Sequence, residues 1–140
     1  MATELSRNLP RPEKTRMRRL YPILNCMLHM VHACIISFTL LGWLWPSWRL
    51  YHLLWILLTL GSWYILGLWM GLGYCPVTDL HWTVKEKLGE GRPKCDYIYY
   101  WLTKSTSMAF DPGHVEKATV ISTLSAGIVS LILNIRQYLL

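Results

Sequence analysis

Two uncharged apolar runs dominate the chain, Leu20 to Trp48 and Leu50 to Tyr74, with only Arg49 between them. A bilayer core of about 30 Å needs roughly 20 apolar residues at the helical rise of 1.5 Å per residue, and both runs meet that length. Within the junction Trp45-Pro46-Ser47, Pro46 cannot sit comfortably inside a helix but suits a helix start or a tight turn. The pattern therefore predicts a helical hairpin, with helices over about 21–44 and 48–72. A third, shorter apolar run from Ala118 to Ile135 reaches spanning length if Lys117 and Arg136 extend it by snorkelling. It predicts a last helix over about 115–138.

The remaining segments are polar or mixed. Residues 1–19 are basic, contain Pro10 and Pro12, and read as a flexible tail. Cys75-Pro76 interrupts the second apolar run. Thr78 or Asp79 is expected to cap a short helix through Leu88, with Gly89 and Gly91 ending it. Asp96 to Met108 carries Tyr97, Ile98, Tyr99, Tyr100, Trp101 and Leu102. It is too short to span and reads as an interfacial helix, so that 79–110 forms one interfacial segment. Asp111-Pro112-Gly113 is a turn signal. The expected architecture is all-α: one integral membrane helical bundle over 20–140, with three transmembrane helices and a cytoplasmic interfacial segment.

Composition supports lipid as the solvent. Of 140 residues, 53% are hydrophobic and only 16% charged, against about a quarter charged in soluble domains. The net charge of +6 does not point to nucleic acid, because the basic residues flank apolar runs rather than forming a stripe interleaved with aromatics. Their placement follows the positive-inside rule instead. Arg7, Arg11, Lys14, Arg16, Arg18 and Arg19 precede the first run, and Lys85, Lys87, Arg92, Lys94, Lys104 and Lys117 lie between the second and third. Only Arg49 and Arg136 mark the opposite ends. This predicts a multi-pass inner-membrane protein with the N-terminus and long second loop cytoplasmic and the C-terminus outside. The first run is longer than a signal-peptide core and has no small-x-small site before Trp45, which predicts an uncleaved anchor. Trp43, Trp45, Trp48 and Tyr51 gather at one expected interface, and Trp69, Tyr74 and Trp82 near the other.

Small and polar residues suggest packing faces. Gly67 and Gly71 form a GxxxG pair, and Ser122, Ala126 and Ser130 a small-xxx-small stripe continuing to Asn134. Such residues let helix backbones approach closely in lipid. Asn25, His29, Ala33 and Ser37 recur every four residues, with His32 on the same side, and this polar stripe is expected to turn away from lipid. Three helices cannot bury all their faces against one another. The exposed ones imply the lipid bilayer, a membrane-protein partner or a homo-oligomer.

Two groups carry candidate chemistry. In Gly73-Tyr74-Cys75-Pro76-Val77-Thr78-Asp79-Leu80-His81-Trp82, a thiol, a hydroxyl, a carboxylate and an imidazole gather where the second helix ends. Cys75 and His81 are donors suited to zinc, iron or copper, with Asp79 as a further oxygen ligand. The competing reading is structural: Thr78 or Asp79 as a cap, Cys75 as a small buried residue, and His81 at the interface. The second group is the intramembrane histidines. His29 and His32 lie on the first helix and His52 near the hairpin tip. The depth difference between His32 and His52, roughly 13 Å, argues against one ligand clamped by both. Histidines hydrogen-bonded across helices compete with a proton or metal relay through His29 and His32. The four cysteines, Cys26, Cys34, Cys75 and Cys95, are expected as free thiols in a reducing compartment.

The Leu28-His29 and Val31-His32 elements, Trp48-Arg49-Leu50-Tyr51-His52, the Cys75-Pro76-Val77-Thr78 motif and the aromatic segment Asp96 to Leu102 together resemble an uncharacterised family of small bacterial inner-membrane proteins. That family, a domain of unknown function, is marked by Cys-Pro-Leu-Thr after the second span. The resemblance covers about 20–138. Val77 replaces the usual leucine, and His81 stands where many members carry glutamate. It implies Cys75, Pro76 and Thr78 as signature positions, with His32 and His52 as polar counterparts in the helices, and it carries no activity. The resulting expectation is no enzyme activity and a structural or accessory-subunit role in a larger membrane assembly. One alternative is a metal- or haem-binding redox protein built on Cys75 and His81, and another a proton- or metal-linked transport component acting as an oligomer. Cofactor and metal are left open.

Overall fold

The computed structural model describes the backbone of residues 11–139 and the side chains of residues 19–138. Among these residues the chain is helical, with no strand. Helix α1 runs Arg11–Leu41. Two short 3₁₀ turns, Gly42–Leu44 and Pro46–Trp48, make the hairpin tip. Helix α2 is Arg49–Gly61, and a π-helical turn, Ser62–Leu66, joins it to α3, Gly67–Met70. Helix α4 is Pro76–Lys87, α5 is Tyr97–Thr106 and α6 is Pro112–Leu139. Three segments are long and apolar enough to cross a membrane: Arg19–Leu44, Pro46–Met70 and Pro112–Tyr138.

The interior is more polar than the exterior. Eight polar or charged residues are buried (His32, Thr39, His52, His81, Lys85, Thr123, Ser130, Asn134), against six apolar ones: Leu28, Ile56, Trp82, Val84, Tyr97 and Ala126. Meanwhile Leu58, Leu68, Trp69, Leu72 and Ile121 stand exposed. In water this arrangement would forfeit the hydrophobic effect. In lipid it follows from the need to pair polar groups internally. The fold is that of a multi-pass membrane helical bundle.

Helix α2 packs on α6, α1 packs on α4 and α6, and α5 packs on α6. The α2–α6 approach is set by Gly127, where a Cβ would meet Ile56 Cγ2 at 2.9 Å. The seam on α6 is Thr123, Ala126, Gly127, Ser130 and Asn134, all buried, whereas Ser122 is exposed. Asn134 Nδ2 and Ser130 Oγ both donate to the Arg49 carbonyl, at 3.1 and 3.3 Å. That carbonyl would otherwise lack a second partner at the start of α2.

Several expectations are corrected. Residues 11–19, assigned to the tail, are wound into α1, because Pro12 is tolerated in a first helical turn and nothing before Pro22 interrupts propagation. Residues 1–10 of that tail lie outside the described residues. The GxxxG pair is a local turn and not a helix–helix face. Gly71 has φ +105° and ends α3, and the chain folds back so closely that a Cβ on Gly67 would meet Leu72 Cα at 3.1 Å. Helix α4 begins at Pro76 with Cys75 as the preceding residue. Neither Thr78 nor Asp79 caps it, because proline's fixed φ favours the first helical position. The interfacial segment is packed as well as amphipathic, since His81, Trp82, Val84, Lys85 and Tyr97 are all buried.

Candidate functional site

The π-helical turn positions the site. A π turn leaves carbonyls without their usual α partners, and here the returning loop supplies one: Gly73 N–H donates to the Trp63 carbonyl at 3.1 Å. Ser62 Oγ in turn donates to the Tyr74 carbonyl at 2.9 Å. These two bonds fix Tyr74, and therefore Cys75, against the end of the second span. Pro76 then starts α4 directly, which makes Cys75 the residue before its first turn.

Helix α1 meets this helix start with His32. Its Nδ1–H donates to the Leu28 carbonyl at 2.8 Å, which leaves Nε2 as the lone-pair nitrogen in the neutral ring. Nε2 accepts from the Thr78 hydroxyl at 3.2 Å, beside the Cys75 thiol. Burial pushes the Cys75 thiol up. The neighbouring His32, Thr78 and Val77 outweigh burial and bring it down to about 7. This is the setting in which thiolates form: a helix N-terminus, an imidazole and partial exposure.

Two more imidazoles complete the cluster. The His81 ring lies 4.4 Å from that of His29, edge to face, and 5.4 Å from that of His32. His81 is fully buried. Its Nε2–H donates to Asn25 Oδ1 at 2.9 Å, and its Nδ1 has no partner. Burial, and then the neighbouring His29, His32 and Lys85, lower its pKa to about 4, so it stays neutral. Tyr97 stacks on His32 with ring centroids 3.7 Å apart, and its hydroxyl bonds His29 Nδ1 at 2.8 Å. Burial, reinforced by Tyr100, raises the Tyr97 pKa. Tyr97 therefore keeps its phenolic proton.

The expected site residues separate accordingly. His29, His32, Cys75, Thr78 and His81 come together, and Pro76 sets their frame. Asp79 is paired with Arg92 instead. Cys95 offers its carbonyl to Trp82 Nε1 at 3.1 Å, and His114 is an exposed partner of Asp111. All four cysteines are unpaired. His52 belongs to a different part of the bundle, where its Nε2–H donates to the Thr39 carbonyl at 3.0 Å. Of the polar stripe, Asn25 and His29 are half-buried and His32 is buried, whereas Ala33 and Ser37 are exposed. Among the described residues, no three His, Cys, Asp or Glu side chains are grouped so as to hold a metal ion. The buried part of the stripe resumes only at Thr39, about 10 Å farther along α1. Tyr97 and Asn25 were not singled out as site residues from sequence. Nothing within the aromatic run Tyr97 to Trp101 distinguishes the one ring that turns inward.

The family described as Protein of Unknown function (DUF2784) matches residues 22–136, and the chain belongs to it. No curated protein and no solved structure matches the chain.

Proposed function

We propose that this family member is a small membrane component that acts through Cys75 as a reactive thiolate in exchange with a disulfide supplied by a partner. One observation carries the reading: His32, oriented by the Leu28 carbonyl, holds its lone-pair nitrogen at the Thr78 hydroxyl in the first turn of α4, beside the thiol of the residue that precedes it. Nucleophile, base and orienting group thus follow the general logic of activated nucleophiles. In the step, the Cys75 proton passes to His32 Nε2 and the sulfur attacks a disulfide sulfur. A new S–S bond forms as the old one breaks, and the departing thiolate takes the proton back from His32. Electrons balance within the exchange. All four cysteines of the chain are free, so the disulfide comes from outside it. That fits an accessory subunit better than a self-contained enzyme.

The test is the pH–rate profile of Cys75 toward 4,4′-dithiodipyridine, with Cys26, Cys34 and Cys95 replaced by serine. Lowering a thiol from 9.0 to about 7 raises the thiolate fraction at pH 7 about fifty-fold, while intrinsic nucleophilicity falls about tenfold. The native protein should therefore react faster than its His32→Gln variant at pH 7, by up to about fivefold if the variant returns fully to 9.0, and more slowly at pH 10. A midpoint near 9 in the native protein, or one unmoved by His32→Gln, overturns the reading.

A metal site is favoured by one observation, the bare Nδ1 of His81 beside the rings of His29 and His32. Thiolate and imidazole donors suit copper(I) and zinc. Among the described residues no three such donors are grouped to hold a metal ion, which is why exchange is preferred. Zinc titration of the purified protein should give no Cys75-dependent binding if exchange is the whole function, and stoichiometric binding if it is not.

A further inference from the structure

The far end of the bundle holds a second charged feature, unrelated to the thiol. Arg49 opens α2 and is held rigidly: its Nε donates to the Trp43 carbonyl at 3.1 Å and its Nη1 to Gln137 Oε1 at 3.3 Å. Its own carbonyl is taken by Ser130 and Asn134. Arg136 lies on the neighbouring face of α6. Together with Pro46, Leu133 and Gln137, the two arginines line a pocket of about 430 Å³.

This end has no counter-charge among the described residues. Every carboxylate whose side chain is described (Asp79, Glu86, Glu90, Asp96, Asp111 and Glu116) falls between residues 79 and 116. Glu116 is the nearest along α6, and it is twenty residues from Arg136, about 30 Å, well beyond a Debye length of about 8 Å. Among the described residues none hydrogen-bonds or ion-pairs with Arg136. Trp45, Trp48 and Tyr138 are exposed around the same end, and such rings favour the headgroup level of a membrane.

We propose that Arg49 and Arg136 form a binding site for the phosphate diester of a phospholipid headgroup. The guanidinium fork matches phosphate oxygens in a way that lysine does not. Arg49 is preorganised by its two side-chain bonds and keeps Nη2 free for the ligand, while Arg136 closes from the other side. The apolar wall of Pro46 and Leu133 continues into the lipid-facing surface of α6, where Ile132 and Ile135 are exposed. A lipid's glycerol and first acyl carbons fit there, and free phosphate gains nothing from it.

Native mass spectrometry of the detergent-solubilised chain, with a C-terminal tag that displaces the terminal carboxylate, tests the site. Phosphatidylglycerol should bind at one copy, and Arg136→Gln should weaken it at least about tenfold, the scale of a lost charge-assisted bond. Arg136→Lys should recover only part of the affinity, and Lys94→Gln at the other end none should be lost. Because Arg49 also braces the hairpin tip, Arg136→Gln decides the matter if an Arg49 variant does not fold. Unchanged lipid binding in Arg136→Gln, or an equal loss in Lys94→Gln, overturns the proposal. Full displacement of the lipid by millimolar inorganic phosphate overturns its lipid part.

Discussion

His32 and His52 make an instructive pair. Both are almost completely buried, at 3% and 0% exposure, and both donate one ring N–H to a carbonyl of α1, that of Leu28 or of Thr39. They differ in what meets the second nitrogen. For His32 it is the Thr78 hydroxyl, a group with a proton to share, beside the Cys75 thiol. For His52 it is nothing: Nδ1 is unpartnered, and the ring is packed edge-on against Phe38 at 5.6 Å. Burial of a histidine in a membrane bundle thus says little about function. The company of its second nitrogen separates a proton-accepting group from a packing element.

The largest effect that can test this contrast is at Gly42. A Cβ there would lie 2.6 Å from His52 Cδ2 and 2.9 Å from the Phe38 ring, and neither ring has an easy escape. Gly42→Ala should destabilise the protein by about 3 kcal/mol, the upper end for overpacking, as measured by unfolding in micelles. Gly61→Ala is its control. The closest atom there is Ile65 Cδ1 at 3.9 Å, so the change should be neutral or stabilising by up to about 1 kcal/mol. A neutral Gly42→Ala would mean that the His52 region is loosely packed, and the contrast would fail.

Next in size is an exchange of readouts. His52→Ala leaves the Thr39 carbonyl without its donor and opens a void, and should cost about 2 kcal/mol while leaving the Cys75 pH profile in place. His32→Gln should cost less stability yet move the Cys75 midpoint from about 7 back toward 9.0. If both variants shifted the profile equally, the two ends would be one coupled unit.

The contrast between these ends was only partly legible in the sequence. The spans were, because lipid dictates both length and polarity, and the two long uncharged runs begin and end within about four residues of the spanning segments Arg19–Leu44 and Pro46–Met70. The partners of the histidines were not. His81 meets Asn25 across 56 positions and His29 meets Tyr97 across 68, and no local pattern encodes such pairs. The polar stripe failed for a geometric reason. Steps of four residues advance about 40° around a helix of 3.6 residues per turn. Ser37 is therefore about 120° from Asn25 and emerges on the lipid side. The helix start at Cys75 was available in Pro76 itself, but Thr78 and Asp79 offered the more familiar capping chemistry.

Acid separates the ends in another way. His81 is held neutral, with a pKa near 4 against 6.5 for the free side chain. Between those values the unfolded chain binds more protons than the folded one, so stability is fully present above pH 6.5 and is lost as pH falls toward 4. Melting temperatures at pH 7 and pH 4.5 should therefore drop for the native protein and drop less for His81→Gln. An equal drop in both would place the acid sensitivity elsewhere.

The smallest effect concerns what keeps α4 in register beneath Cys75. Two ion pairs flank this helix. Lys85 is almost wholly buried, with 4% of its side chain exposed, and donates to Glu90 at 2.6 Å beneath the Tyr100 ring. The Arg92–Asp79 pair is far more exposed, at 44% and 39%. Solvent screening limits such a pair to about 0.2–1 kcal/mol, and Asp79 adds only a modest dipole contribution in the first turn of α4. Asp79→Asn should thus lower stability by less than about 1 kcal/mol, with the difference shrinking further in 1 M salt. The Cys75 midpoint should stay near 7, because His32, Thr78 and the Val77 amide set it and Asp79 does not. If Asp79→Asn instead raised the midpoint toward 9, the exposed pair would be steering the start of α4. The thiol would then depend on the loop that carries Arg92 as much as on His32.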